Sequence, residues 1–343
     1  MIGIDVSDKS IKVVRLADNS SRKLLSHCSE PLEPGWIESG AVINPEKVRG
    51  AVKSALDACQ IDKKVEDAVV ASISESQSFL RVIELPLMRE DEVGEAIKWE
   101  IAQHIPFGLE NVYIDWQPLH GEGHVRKDGK MEVQVGASQK KVVDSLLRVF
   151  SDLNLDVAAF ELESQALVRA LVSRDMRRKQ GILIVDVGAS ATNVIVHDHG
   201  ALRFTASLQK GVNSLSKVLS AEQAKTVSGK DIASAQIPSA EALSASLAPA
   251  LEELAIEIHG IVEFYNSIDA KHVVKEIMMT GGGSNLPGLD KALLRYFDKV
   301  IIQQGNPWVN IVQGIKSIAT PLELKESVRF STAIGLALRP VVY

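Results

Sequence analysis

Cysteine is scarce in this sequence, and the scarcity excludes several chemistries. Cys28 and Cys59 are the only two among 343 residues. Neither sits in a C-x-x-C pair or a Cys/His cluster, so no zinc module or dithiol motif is present. Two isolated thiols imply a reducing compartment and no disulfide framework. No apolar run approaches the ~20 residues that a membrane-spanning helix needs. No charged leader followed by an apolar stretch marks a signal peptide. Basic charge is not in surplus: the net charge is −6 with the signs interspersed, which argues against a nucleic-acid footprint. There is no H-E-x-x-H and no nucleophile elbow. Ser228-Gly229-Lys230 fails the P-loop pattern, because position 224 is Ala and position 231 is Asp, and it reads as a surface turn. His197 and His199 lack a third ligand nearby and read as a solvated hairpin tip. Arg174 to Lys179 reads as a charged, solvated loop.

What remains is a globular chain, 45% hydrophobic and 24% charged, long enough for two cores. It is organised around Gly181 to Val196, GILIVDVGASATNVIV. Apolar, β-branched Ile182 to Val187 carries one carboxylate, Asp186. Small residues follow, Gly188 to Thr192, and then a second strand-like run, Val194 to Val196. Such a turn can curl backbone N–H groups and hydroxyls around a phosphate. Gly188 lets the backbone come close, and Asp186 can hold magnesium through water. The N-terminus, IGIDVSDKSIKVVRL, repeats the plan: Asp5-Val6 matches Asp186-Val187 and Val13 matches Val194. Two similar halves follow, each offering a phosphate-facing hairpin. A third signal is Gly281-Gly282-Gly283-Ser284 between an apolar strand and a helix-like run, suited to a nucleotide lying at a helix N-terminus.

Local signals place the remaining elements. Asn44-Pro45 starts a helix that runs to about Cys59, with Val48, Ala51, Val52, Ala55 and Leu56 on one face. Ala68 to Ile73 is a buried-type strand. Phe79 to Leu85 is a strand stopped by Pro86. Glu90-Asp91-Glu92 opens a helix whose Val93, Ile97 and Ile101 form a core stripe, with Trp99 off it. Residues from about 75 to 145 read as an inserted subdomain with its own sheet and helix. Helices are expected at Val142–Phe150, Ser164–Ser173, Val212 to about Ala224, Ala240–Ser267, Leu286–Phe297 and roughly Glu323–Leu338. Thr226 to Pro238 reads as an exposed loop.

The two Asp-bearing hairpins and the glycine turn, in this order, resemble the actin-like ATPase superfamily. Within it, REDEVGEAIKWEIAQHIPFGLENVYIDW (Arg89 to Trp116), FELESQALVRAL (Phe160 to Leu171) and STAIGLALR (Ser331 to Arg339) are similar to the PilM family of type IV pilus assembly proteins. The resemblance implies a duplicated α/β, ribonuclease H-like fold, with lobes 1–173 and 174–343 around a nucleotide cleft. It implies ATP and magnesium as ligands and weak or partner-dependent hydrolysis. Asp5 and Asp186 would be the magnesium-side carboxylates. Ser7, Ser10 and Lys12 would serve one phosphate hairpin; Gly188, Ala189, Ser190 and Thr192 the other. Gly281, Gly282, Gly283 and Ser284 would pass under the ribose and adenine, with Gly211 near the sugar. Glu163 would orient water, although a first-turn acid meeting the helix dipole reads the same way. The family has Gly at the position of Ser7, and tends to show Arg and Ser where this chain has His259-Gly260. The expected partner is the N-terminal peptide of a PilN-like single-span inner-membrane protein, placed at Arg81 to Phe107 with Arg81, Ile97, Trp99, Ile101 and Phe107 named. The protein would be cytoplasmic and reach the membrane through that partner. An FtsA-like filament former and a type II secretion component share the architecture; the missing basic amphipathic tail argues against the former.

Overall fold

The computed structural model describes residues 1–17, 22–61, 68–102, 108–119, 129–173, 175–176, 181–219, 239–268, 274–311 and 322–340. The chain opens with an antiparallel meander, β1 (Ile2–Val6), β2 (Ser10–Leu16) and β3 (Leu24–Pro31). A short ladder, β4 (Ile37–Glu38) with β5 (Ala41–Val42), leads to α1 (Pro45–Ala58). That helix begins where its sequence demands. Pro45 presets φ in the first turn, and Asn44 Oδ1 accepts the Lys47 N–H at 3.2 Å. Its stripe Val48, Ala51, Val52, Ala55 and Leu56 is buried as expected. Then come β6 (Val69–Ile73), a 3-10 turn at Glu75–Gln77, β7 (Ser78–Pro86), α2 (Glu90–Ile101), β8 (Val112–Pro118), β9 (Lys130–Gln139), α3 (Lys140–Asp152), β10 (Val157–Leu162) and α4 (Glu163–Leu171).

The second half repeats the opening meander with β11 (Gly181–Val187), β12 (Thr192–Asp198) and β13 (Ala201–Leu208). It continues through α5 (Val212–Leu215), α6 (Ala240–Ile268), β14 (Val274–Thr280), α7 (Leu289–Leu294), β15 (Ile301–Gln304), α8 (Leu324–Ser327) and α9 (Ser331–Ala337). The strand orders reveal the duplication. The first sheet runs β10-β6-β1-β2-β3, and the second contains β15-β14-β11-β12-β13. In each, an antiparallel meander sits beside a strand added in parallel to its first member.

Helices α4 and α9 cross at Gly335, where any Cβ would overlap the Ala166 carbonyl oxygen. The same helix leaves no room for a Cβ on Gly3 of β1. One face of the second sheet, with Ile182 and Ile184, joins the core of the first lobe. Its other face, with Leu183, Val185 and Val187, packs with α6 residues such as Leu254 and Ile258.

Four sequence expectations are corrected. Cys28 and Cys59 form a disulfide, with Cα atoms 5.6 Å apart. Packing of α1 on β3 brings the helix end to Cys28, and a spacing of 31 residues gave no sign of it. The helix expected from Leu286 to Phe297 shrinks to α7, because Gly288 takes φ +95° in the turn after Pro287. The expected helix at 323–338 is divided into α8, a 3-10 turn at Val328–Phe330, and α9. The expected helix from Val212 is helical through Leu215 and then 3-10 to Val218. Its remainder, Ser228-Gly229-Lys230, the 226–238 loop, and most of the 174–179 run lie outside the described residues.

The sheet β7-β9-β8 carries α2 on one face, with Val93, Ile97 and Ile101 against Ile83, Val133 and Val135. It is also continuous with the second lobe: β7 pairs with β13 at Arg81↔Phe204, which no local pattern announced. Helix α3 packs into the first-lobe core through Leu146 and Phe150.

Candidate nucleotide cleft and peptide groove

The two Asp-bearing hairpins place their carboxylates equivalently. Lys12 stands opposite Asp5 across one hairpin, and Asn193 opposite Asp186 across the other. Asp5 is buried. It accepts from Lys12 Nζ at 3.1 Å and from the Ser72 hydroxyl at 3.2 Å, while Ser72 Oγ accepts the Val6 N–H at 2.9 Å. Ser72 on β6 was not among the expected site residues. In the turn, the Ser7 hydroxyl donates to the Ser10 carbonyl at 3.0 Å and accepts the Ser10 N–H at 3.3 Å. Ser7 adopts no positive φ, so a side chain is tolerated at this position.

The second turn is braced from behind. The Gly188 N–H donates to the Ala191 carbonyl at 2.9 Å. The N–H groups of Val212 and Asn213 donate to the carbonyls of Gly188 and Ala189 at 3.0 and 2.9 Å. A Cβ on Gly211 would come 2.6 Å from the Ala189 carbonyl oxygen, so only glycine permits this stacking. Ser190 is exposed at the tip. Thr192 is fully buried, and its hydroxyl donates to the Lys210 carbonyl at 2.6 Å. It therefore braces the turn instead of presenting a free hydroxyl. Lys210 Nζ in turn reaches Glu253 and Glu257 of α6 at 2.6 and 2.7 Å.

The glycine turn closes the site, but as a 3-10 turn over Gly282–Asn285 and not as the start of a long helix. Gly281 has φ +78°, and a Cβ there would overlap Asp186 Oδ1. Gly283 is packed against Val187 and Val212. Ser284 is buried and donates to the Gly281 carbonyl at 2.7 Å. Only Gly282 of the three faces open space. His259 packs tilted against Tyr296 and edge-on against Phe297.

Four carboxylates gather around the start of α4. Glu163 Oε2 accepts Asn193 Nδ2 at 3.0 Å and the Glu75 N–H at 3.5 Å. Burial holds the Glu163 carboxyl well above the usual range, and the charges of Asp5, Asp186 and Glu75 add to it. Asp186 is pushed up to about 6 by burial and then by Asp5, with Lys12 and Asn193 opposing. Burial also raises Glu75. Clusters of carboxylates that resist ionisation mark functional sites, where an added cation relieves the repulsion. Asn193 Oδ1 is buried without a hydrogen-bond partner among the described residues, an acceptor left for water. Among the described residues no three His, Cys, Asp or Glu side chains converge closely enough to ligate a metal directly.

The expected partner residues separate into three kinds. Ile97 and Ile101 are fully buried between α2 and its sheet and belong to the core of the subdomain. Arg81 lies at the seam with the second lobe, over the rings of Phe79 and Phe204. Trp99 is 79% exposed. Phe107 lies outside the described residues. A cavity of about 410 Å³ opens elsewhere, lined by Ile114 and Trp116 of β8 and by Phe160 and Leu162 of β10. β8 and β10 are the edge strands of their two sheets, so the cavity lies between unpaired strand edges.

The family model described as "Type IV pilus assembly protein PilM" matches residues 3–341. The chain belongs to the PilM family. Its fold is that of a solved "PilM-PilN type IV pilus biogenesis complex", at 23% identity and TM-score 0.82, covering 100% of this chain and 98% of that one. A curated relative, the cell division protein FtsA of Neisseria meningitidis, is 24% identical over 96% of this chain and 78% of its own length. MreB 5 of Spiroplasma citri, solved bound to AMPPNP, has the same fold at 11% identity and TM-score 0.51, covering 97% of this chain and 93% of its own. The actin-like fold and a role in type IV pilus assembly follow from family membership. No helix among the described residues is long and apolar enough to cross a membrane.

Proposed function

We propose that this PilM-family chain binds magnesium-ATP between its lobes and docks the N-terminal peptide of a PilN-type inner-membrane protein, working as a cytoplasmic scaffold held at the membrane by that partner. The observation that carries the nucleotide half is the convergence of the Asp5 and Asp186 hairpins on Glu163, beside a glycine turn with open space over Gly282. A hydrated magnesium ion would be held by Asp5 and Asp186, and would neutralise phosphate charge. The residues present fit it: crowded carboxylates and an unpaired Asn193 Oδ1 favour an ion with its own water shell. Backbone N–H groups of the two turns would meet the phosphates. Glu163, held by Asn193 and Glu75, would orient water. The crystallised MreB 5 holds an ATP analogue, consistent with this use of the cleft.

The peptide half rests on the groove. An extended peptide can pair with a free strand edge while its apolar side chains enter a pocket beside it. The groove between β8 and β10 supplies both, with Trp116, Ile114, Phe160 and Leu162 as the apolar lining. It replaces Arg81 to Phe107 as the proposed contact. The solved relative is a complex of PilM with PilN.

Calorimetric titration tests both halves. The wild-type chain is expected to bind magnesium-ATP and, separately, a synthetic peptide of the PilN N-terminus. Gly282→Val should fold normally, because that Cβ meets nothing within 4 Å, yet weaken ATP at least ~10-fold, about 1.4 kcal/mol. Unchanged ATP affinity in this variant would remove the nucleotide from the proposed cleft. Peptide that fails to bind wild type would remove it from the groove.

A further inference from the structure

Between the groove and the cleft lies a buried acid. Glu75 is 3% exposed. It begins the 3-10 turn through which the chain leaves β6 for β7. Two reciprocal hydrogen bonds tie it to α4. The Ser164 N–H donates to Glu75 Oε2 at 3.2 Å, and the Glu75 N–H donates to Glu163 Oε2 at 3.5 Å. The Asn193 bond falls on the same Oε2, which leaves Oε1 of Glu163 as the oxygen for water.

The groove reaches both ends of this link. Ile73 and Leu162 line it, and they precede Glu75 and Glu163 by two residues and one. Gln165 and Ser138 line it as well. The turn is clamped to the returning strand by a hydroxyl contact between Ser78 and Ser138 at 2.9 Å and by Gln139 Nε2 donating to Gln77 Oε1. Anything filling the groove therefore presses on both segments that carry the Glu75–Glu163 link.

We propose that Glu75 is a positioning residue that relays groove occupancy to Glu163, so that a docked peptide sets the rate of hydrolysis rather than the affinity for nucleotide. The inference rests on the nucleotide and peptide reading above and deepens it by naming how the two sites communicate. Its physical basis is a short, buried, fully local path. Groove wall and cleft floor are the same two backbone segments, and Glu75 cross-links them. Removing the carboxylate frees the turn from Ser164 and with it the N–H that holds Glu163. A displacement of about 1 Å in an orienting group costs up to ~10²-fold in rate, while phosphate contacts from the hairpins are untouched.

The test is single-turnover hydrolysis of magnesium-ATP by the full chain, with and without the synthetic PilN N-terminal peptide, alongside nucleotide affinity by calorimetry. Wild type should bind ATP, turn it over, and change rate when peptide is added. Glu75→Ala should bind ATP within about twofold of wild type, hydrolyse it roughly 10- to 100-fold more slowly, and lose its response to peptide. Glu75→Gln, which still accepts the Ser164 N–H, should recover most of the rate. Amide hydrogen exchange in unsubstituted protein gives a second readout that needs no variant to fold. Peptide should slow exchange at Glu75 and Ser164. Absence of ATP binding by wild type overturns the nucleotide reading and the relay together. ATP binding without turnover, a peptide-insensitive rate, a Glu75→Ala rate equal to wild type, or exchange unaffected by peptide overturns the relay alone.

Discussion

Asp186 shows at the scale of one residue why the cleft is built at a cost to stability. Its carboxyl titrates at about 6 in the fold against 3.8 for an ordinary aspartate. The unfolded chain therefore loses this proton first as pH rises, and the native state binds more protons between the two values. Stability from this group is present below about pH 4 and is lost as pH rises through 6. Glu163 has the same sign, its carboxyl raised by burial and by the charges of Asp5, Asp186 and Glu75. Asp186→Asn should flatten the pH dependence of stability between pH 4 and 7 and raise the melting temperature at pH 7, while abolishing magnesium-dependent nucleotide binding. Urea denaturation across that pH range checks the first part and calorimetry the second; a variant less stable than wild type at pH 7 would refute the electrostatic account. Asp5 and Asp186 were legible as candidate site residues because both lie at the ends of apolar strand runs and precede small polar turns. Ser72 and Glu75 were not, since each acts through a partner 67 to 89 residues away.

Elements were legible where local chemistry decides them. Asn44-Pro45 set the start of α1, and the stripe of Val93, Ile97 and Ile101 set the buried face of α2. Strands β8 and β15 alternate in burial residue by residue and β13 does so unevenly, yet each takes its place in the sheet from its neighbours rather than from its own sequence. The helix crossing of α4 with α9 is another tertiary decision. Gly335 reads as a helix-weakening glycine until Ala166 is seen against it. Gly335→Ala gains helix propensity of about 1 kcal/mol but drives a methyl group into a backbone carbonyl. It is expected to destabilise by about 3 kcal/mol or more, measured by chemical denaturation. A stabilised variant would mean that the two helices are not in contact at that point.

Across the whole molecule, the inserted sheet is attached at both sides. Its chain ends belong to the first lobe, yet its edge strand β7 pairs with β13 of the second at Arg81↔Phe204. Close by, Arg203 on β13 and Glu132 on β9 form an ion pair at 2.7 Å, each side chain under 10% exposed. Movement of one lobe against the other must therefore shift the groove wall that β8 provides. Glu132→Ala strands a buried guanidinium and is expected to cost about 3–5 kcal/mol. Limited proteolysis should then cut the 75–139 segment earlier than in wild type, with urea denaturation giving the loss in stability. Equal proteolysis of the two proteins would show that the seam does not hold the subdomain.

The duplication, the Asp-bearing hairpins, the glycine turn and the family are each written in contiguous residues whose backbone chemistry is local. Tertiary structure alone decided four further matters. They are the Cys28–Cys59 bridge, the annealing of the inserted sheet to the second lobe, the groove between the edges of β8 and β10, and the meeting of Glu75 with Glu163. Each of these joins segments whose approach is set by how sheets and helices pack. Packing depends on the summed burial of many side chains rather than on any short pattern.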